Sequence, residues 1–101
     1  MLTLVRSSVF SDWLSGLSGH KGKARILNRL ANSALGNFGG CEAVGEGVPE
    51  MRIHHGPGYR VYFVRQGAAV YVLLCGGDKS SQRRDIARAK TMARDLKKDK
   101  R

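Results

Sequence analysis

At 101 residues the chain has room for one domain around a single core, so residues 1–101 are read as one unit. Eighteen Lys and Arg against eight Asp and Glu leave a net charge of +10, which argues against a cationic partner and for a polyanion bound in a salt-dependent way, nucleic acid first. Cys41 and Cys75 lack CxxC spacing and a neighbouring Cys/His set, which argues against a disulfide framework or a structural zinc, and no apolar run approaches a membrane span; the expectation is a soluble cytoplasmic protein with no metal, no cofactor and no membrane partner.

Leu2, Leu4 and Val5 predict a short strand over residues 1–5. Phe10, Trp13, Leu14 and Leu17 then recur at helical spacing, with Ser8 or Ser11 as the expected cap. A second helix is predicted over 20–35, with Ile26, Leu27, Leu30, Ala31, Ala34 and Leu35 on one side and Gly36 placed to end it. These two helices are expected to form a hairpin on the sheet. A glycine-rich passage surrounds a short strand near 42–44, and strands follow at 50–54, 59–65 and 69–76. The run from Val70 to Cys75 is apolar throughout, as a central strand covered on both faces would be. Asp78, Ser80 or Ser81 can cap a final helix whose apolar positions are Ile86, Ala89, Ala93 and Leu96 and whose other sides are basic. The order gives an α+β domain: an N-terminal strand and helical hairpin on a small, mainly antiparallel sheet, with a C-terminal helix.

Chemistry concentrates on the hairpin. Side chains alternate along a strand, so Met51 and Ile53 share one face while Glu50, Arg52 and His54 share the other. A five-residue loop over 55–59 would pair Ile53 with Val61, and so bring Arg52 opposite Tyr62 and His54 opposite Arg60. The expected product is a solvent-facing group of Arg52, Arg60, His54 and Tyr62. Guanidiniums that grip phosphate in two-point fashion, beside groups able to move protons, suit cleavage of a phosphodiester.

Ten basic and three acidic side chains fall in residues 79–101, so Lys79, Arg83, Arg84 and Arg88 are candidates for RNA contact. Gly76-Gly77-Asp78-Lys79-Ser80 lacks the glycine spacing of a nucleotide-binding loop and reads as a turn and helix cap, or as a place where a substrate backbone approaches closely. Trp13 and Cys75 read as core.

The blocks VGEGVPEMRIHHGPGYRVYF, GGDKSSQ and DIARAK, together with FSDWLSGL and ALGNFGG, closely resemble the HigB-like branch of the RelE/ParE toxin superfamily, the addiction module killer proteins, over residues 1–96. The resemblance implies a RelE-like fold and the toxin of a type II toxin–antitoxin pair, with a helix-turn-helix, HigA-like antitoxin as cognate partner. It further implies a ribosome-dependent, metal-independent endoribonuclease, an mRNA interferase that inhibits translation by using the 2′-hydroxyl as nucleophile. Carried over residue by residue, Arg52 and Arg60 fall where RNA-cleaving relatives place catalytic cations; Lys79, where the chain leaves the third of these strands, is expected to contact phosphate. His54 is the expected proton carrier, since imidazoles titrate near neutrality, with Tyr62 donating a proton or orienting the base.

Two departures are visible. Some ribosome-dependent relatives end in a catalytic Tyr or His, whereas this chain ends in a Lys- and Arg-rich helix. The gyrase-poisoning ParE branch shares the fold without nuclease chemistry, which leaves open a non-enzymatic inhibitor of a target such as DNA gyrase, or a plain basic RNA-binding module.

Overall fold

A computed structural model describes residues 1–98. The elements are β1 (Thr3–Arg6), α1 (Ser8–Ser15), α2 (His20–Ala34), β2 (Cys41–Ala43), β3 (Pro49–Ile53), β4 (Tyr59–Arg65), β5 (Val70–Gly77), a 3-10 turn (Lys79–Ser81) and α3 (Gln82–Lys98). The five strands form one sheet in the order β1-β5-β4-β3-β2. Only β1 with β5 is parallel; the other pairings are antiparallel. The expected α+β order is therefore present, and no helix among the described residues is long and apolar enough to cross a membrane.

Helices cover both faces. On one, Phe10 and Leu14 of α1 and Ile26 and Leu30 of α2 pack with Met51, Ile53, Val61, Phe63 and Leu73. On the other, Ala89 and Ala93 of α3 pack with Val48, Tyr62, Val72, Leu74 and Cys75. Burying a side chain such as Phe10 removes it from water at a gain of roughly 1.5–3 kcal/mol, and the period of each element is what allows both faces to be filled. Both cysteines are free, Cys41 exposed and Cys75 buried. Burial pushes the Cys75 thiol up to about 11, as suits a core residue.

The start of α1 differs in detail from expectation. Its cap is Ser7, whose Oγ accepts from the Phe10 amide at 3.0 Å and donates to the Leu74 carbonyl at 2.6 Å, fixing the helix start to β5. At the other end of the chain, Asp78 caps the 3-10 turn through the Ser80 amide, and α3 begins only afterwards, at Gln82.

One irregularity sets the position of the candidate site. Tyr62 pairs with Cys75 but Phe63 pairs with Leu73, so Leu74 is an extra residue in β5 and the strand changes phase there. Beyond this bulge Gly76 turns to the α1 side and Gly77 to the α3 side. A Cβ on Gly76 would overlap the Trp13 indole, and one on Gly77 would overlap the Asp85 carboxylate and Ser81 Oγ. The close approach that these glycines permit is thus to the protein's own side chains, not to a substrate backbone.

Candidate nucleic-acid interface

The β3–β4 hairpin places the chemistry, in a register that differs by two residues from expectation. Met51 pairs with Val61, Arg52 with Arg60, Ile53 with Tyr59 and Glu50 with Tyr62. The connection is therefore residues 54–58, one position earlier than expected. Gly56 and Gly58 both take positive φ, at 55° and 79°, and the tip closes through a Gly58 amide to His55 carbonyl bond of 3.1 Å. A slip of two keeps every side chain on its face, so the polar and apolar sides were assigned correctly while the partners were not.

Arg52 and Arg60 stand directly opposite each other, and like charges so placed would repel. Glu50 resolves this. Its Oε1 accepts from Arg52 Nε at 2.9 Å and Arg60 Nη1 at 3.2 Å, and its Oε2 from Tyr62 Oη and Gln82 Nε2, each at 2.8 Å. Four donors satisfy the acceptor sites of a carboxylate with no exposed surface. Burial alone would raise the Glu50 pKa, but the hydrogen bonds from Gln82, Arg52 and Tyr62 and the charge of Arg60 outweigh it and hold the carboxyl below the ordinary glutamate range.

These contacts correct two expectations. Arg60 does not face solvent: its side chain is 11% exposed, against 39% for Arg52. Tyr62 is fully buried in the α3-side core instead of lining an open face. Burial and the bond to Glu50 push its phenol well above the usual tyrosine value, so it remains protonated and acts on Glu50. It does not reach the solvent side of the group.

Above Glu50 lies an open cleft of about 680 Å³. Arg52, Arg60, Lys79, His54, His55 and Gln82 line it, together with the Gly56-Pro57-Gly58 tip. Lys79 is brought there by its backbone, whose amide donates to the Pro57 carbonyl at 3.3 Å and ties the 3-10 turn to the hairpin tip. Arg52 meets Glu50 through Nε alone, and no protein acceptor engages its Nη nitrogens among the described residues. The cleft thus presents three cations over one buried carboxylate, with two imidazoles at its rim. Arg83, Arg84 and Arg88 do not line it: they are exposed along α3, and Arg84 lies 3.6 Å from Asp85.

Glu50 and Gln82 were not assigned a role from sequence. Glu50 did carry a signal, since it alternates in phase with Arg52 on a strand, where a lone acid among cations is out of place unless it is paired. Gln82 carried none.

No known protein-family profile matches the chain. An uncharacterized protein of Haemophilus influenzae is 46% identical over 87 residues, which is 86% of this chain and 88% of that protein. The chain belongs to the same family as that protein. A match of 87 residues within 101 necessarily spans residues 15–87, so every residue lining the cleft lies inside the shared stretch.

Proposed function

We propose that the chain is the toxin of a type II toxin–antitoxin pair, a HigB-like member of the RelE/ParE superfamily acting in the cytoplasm as a ribosome-dependent endoribonuclease on messenger RNA. The observation that carries this reading is the cleft in which Arg52, Arg60 and Lys79 converge beside His54, with the arginines held by buried Glu50. The order of strand, two helices, antiparallel strands and terminal helix supports a RelE-like assignment.

In this reading the scissile phosphate sits against Arg52 and Lys79, with Arg60 behind them. The 2′-hydroxyl of the preceding nucleotide attacks phosphorus, its proton passes to a base, and the bond to the 5′-oxygen breaks as that oxygen takes a proton from an acid. The products are a cyclic 2′,3′-phosphate and a free 5′-hydroxyl. His54 carries one of these protons. The guanidiniums and Lys79 stabilise the extra negative charge on the pentacoordinate phosphorus, and preorganisation by Glu50 means that they need not reorient as that charge develops. Tyr62 contributes through Glu50, as a positioning residue. The exposed cations Arg83, Arg84 and Arg88 provide attachment to ribosomal RNA or to an acidic segment of the antitoxin.

The test is induction of the chain in cells with and without the neighbouring open reading frame, followed by mapping of transcript 5′ ends. Discrete new ends that vanish in Arg52→Ala, and growth arrest relieved by the neighbouring product, are expected. Growth arrest with intact messages and DNA-damage signalling would overturn the nuclease in favour of a gyrase-type inhibitor, and no arrest at all would leave a basic RNA-binding module.

A further inference from the structure

A second concavity adjoins the cationic cleft across His54. It opens to about 430 Å³ between α2 and the end of β3, and its lining comprises Ala24, Arg25, Asn28, Arg29, Ile53 and His54. His54 lines both spaces. Both volumes fall in the range of about 300–1,000 Å³ usual for small-ligand clefts.

Helix geometry and hydrogen bonding decide what this second space offers. Arg25 and Asn28 are three apart on α2 and share a face, and both are exposed. Arg29, one turn beyond Arg25, is committed to structure. Its Nη1 donates to the Arg52 carbonyl at 2.7 Å and its Nη2 to the carbonyls of Phe38 and Gly40 at 2.8 and 3.3 Å. Through that bond α2 grips the backbone of the same residue whose side chain lines the first cleft, so the two spaces have a fixed relative position. Arg25 has no carboxylate partner, and no protein group hydrogen-bonds the Asn28 amide, among the described residues. Among the described residues no acidic side chain lines either space.

We infer that this second concavity binds the nucleotide next to the phosphate held in the cleft, as part of a single-stranded RNA path running from Lys79 over His54 to α2. The inference rests on the nucleic-acid reading of the cleft. Arg25 engages a flanking backbone phosphate, for which a guanidinium is shaped. Asn28 offers a donor and an acceptor side by side, the pairing that an unstacked base edge accepts, with adenine the best fit. A site of this kind supplies sequence preference. The first cleft, whose three cations are directed at phosphate, does not.

The experiment measures binding of the full chain to fluorescent 2′-O-methyl oligoribonucleotides, a dinucleotide and an octanucleotide, by anisotropy across a salt series. The 2′-O-methyl groups remove the nucleophile, so binding is read without cleavage. In Arg25→Ala/Asn28→Ala the affinity gained on lengthening the probe shrinks about ten-fold, as expected for loss of one good two-point contact. Arg25→Ala alone lowers the salt slope by about 0.7, one single-strand phosphate contact. Asn28→Ala removes the preference for adenine-rich over uracil-rich octanucleotides. Far-UV circular dichroism and thermal melts confirm that these exposed-site variants fold. If the double variant binds the octanucleotide as the wild type does while Arg52→Ala loses it, the inference fails and the cleft reading stands. If the wild type binds neither oligonucleotide while its induction still produces discrete new transcript ends, the inference fails and the cleft reading stands; if it binds neither and no new ends appear, both fail together.

Discussion

Glu50 and Arg60 meet across neighbouring strands, Oε1 to Nη1 at 3.2 Å, with the carboxylate wholly buried and the guanidinium nearly so. Such a pair is costly to break from either end, because each partner left alone is a charge out of water. Glu50→Ala is therefore expected to lower stability by roughly 3–5 kcal/mol and to release Arg52 and Arg60 from their common anchor. Urea denaturation checks the first consequence. A wild-type midpoint would show that solvent reaches the site.

The same carboxylate fixes a pH dependence. The folded pKa of Glu50 lies below its unfolded value, so the stability it contributes is fully present above the ordinary glutamate range, near 4.3, and is lost as pH falls through the lowered folded value. Melting temperature should fall below about pH 4 in the wild type. Glu50→Gln, which cannot ionise, should be less stable at neutral pH and show a flatter acid limb. An acid limb as steep as that of the wild type would assign the effect to other carboxylates.

Arg52 and Arg60 separate function from folding. Arg52 is partly exposed and bonded to Glu50 through Nε alone, so Arg52→Ala is expected to abolish messenger cleavage and growth arrest at a smaller stability loss than Arg60→Ala, since Arg60, Tyr62 and Gln82 still satisfy the buried carboxylate. Arg60→Ala is expected to lose both activity and several kcal/mol, since it strips a partner from a buried acid. Parallel urea curves and toxicity assays distinguish the two. Retained toxicity in a folded Arg52→Ala protein would remove the basis of the proposed mechanism.

How much of this was legible in sequence depends on the interaction involved. Alternation placed Glu50, Arg52 and Tyr62 on one face and Met51, Ile53 and Phe63 on the other, and the helix periods found Phe10, Leu14, Ile26, Leu30, Ala89 and Ala93, because each of these is a local pattern; Leu27 and Leu35, expected on the same side of α2, lie exposed. The hairpin register was not legible, since it depends on which loop Gly56 and Gly58 allow, and a slip of two leaves the pattern of apolar residues unchanged. The burial of Tyr62 and Arg60 was hidden for a different reason: it requires knowing that α3 crosses the polar side of the hairpin and delivers Gln82 to Glu50. That is a contact between residues 32 apart. The bulge at Leu74, which turns Gly76 and Gly77 towards Trp13 and Asp85, left only two adjacent glycines as a trace.

Tyr62 provides the last discrimination. If its phenol moved protons for the reaction, Tyr62→Phe would abolish cleavage, whereas the geometry has it buried and donating to Glu50 at 2.8 Å. Removing that one donor leaves three on the carboxylate and no change in shape. Tyr62→Phe should therefore cost about 1.5–3 kcal/mol in stability, the value of a hydrogen bond to a charged group, while single-turnover cleavage falls by less than about ten-fold. The pH profile should keep its form, because the buried phenol moves no proton in the reaction. A loss of cleavage by several orders of magnitude with a wild-type melt would return the tyrosine to the reaction itself.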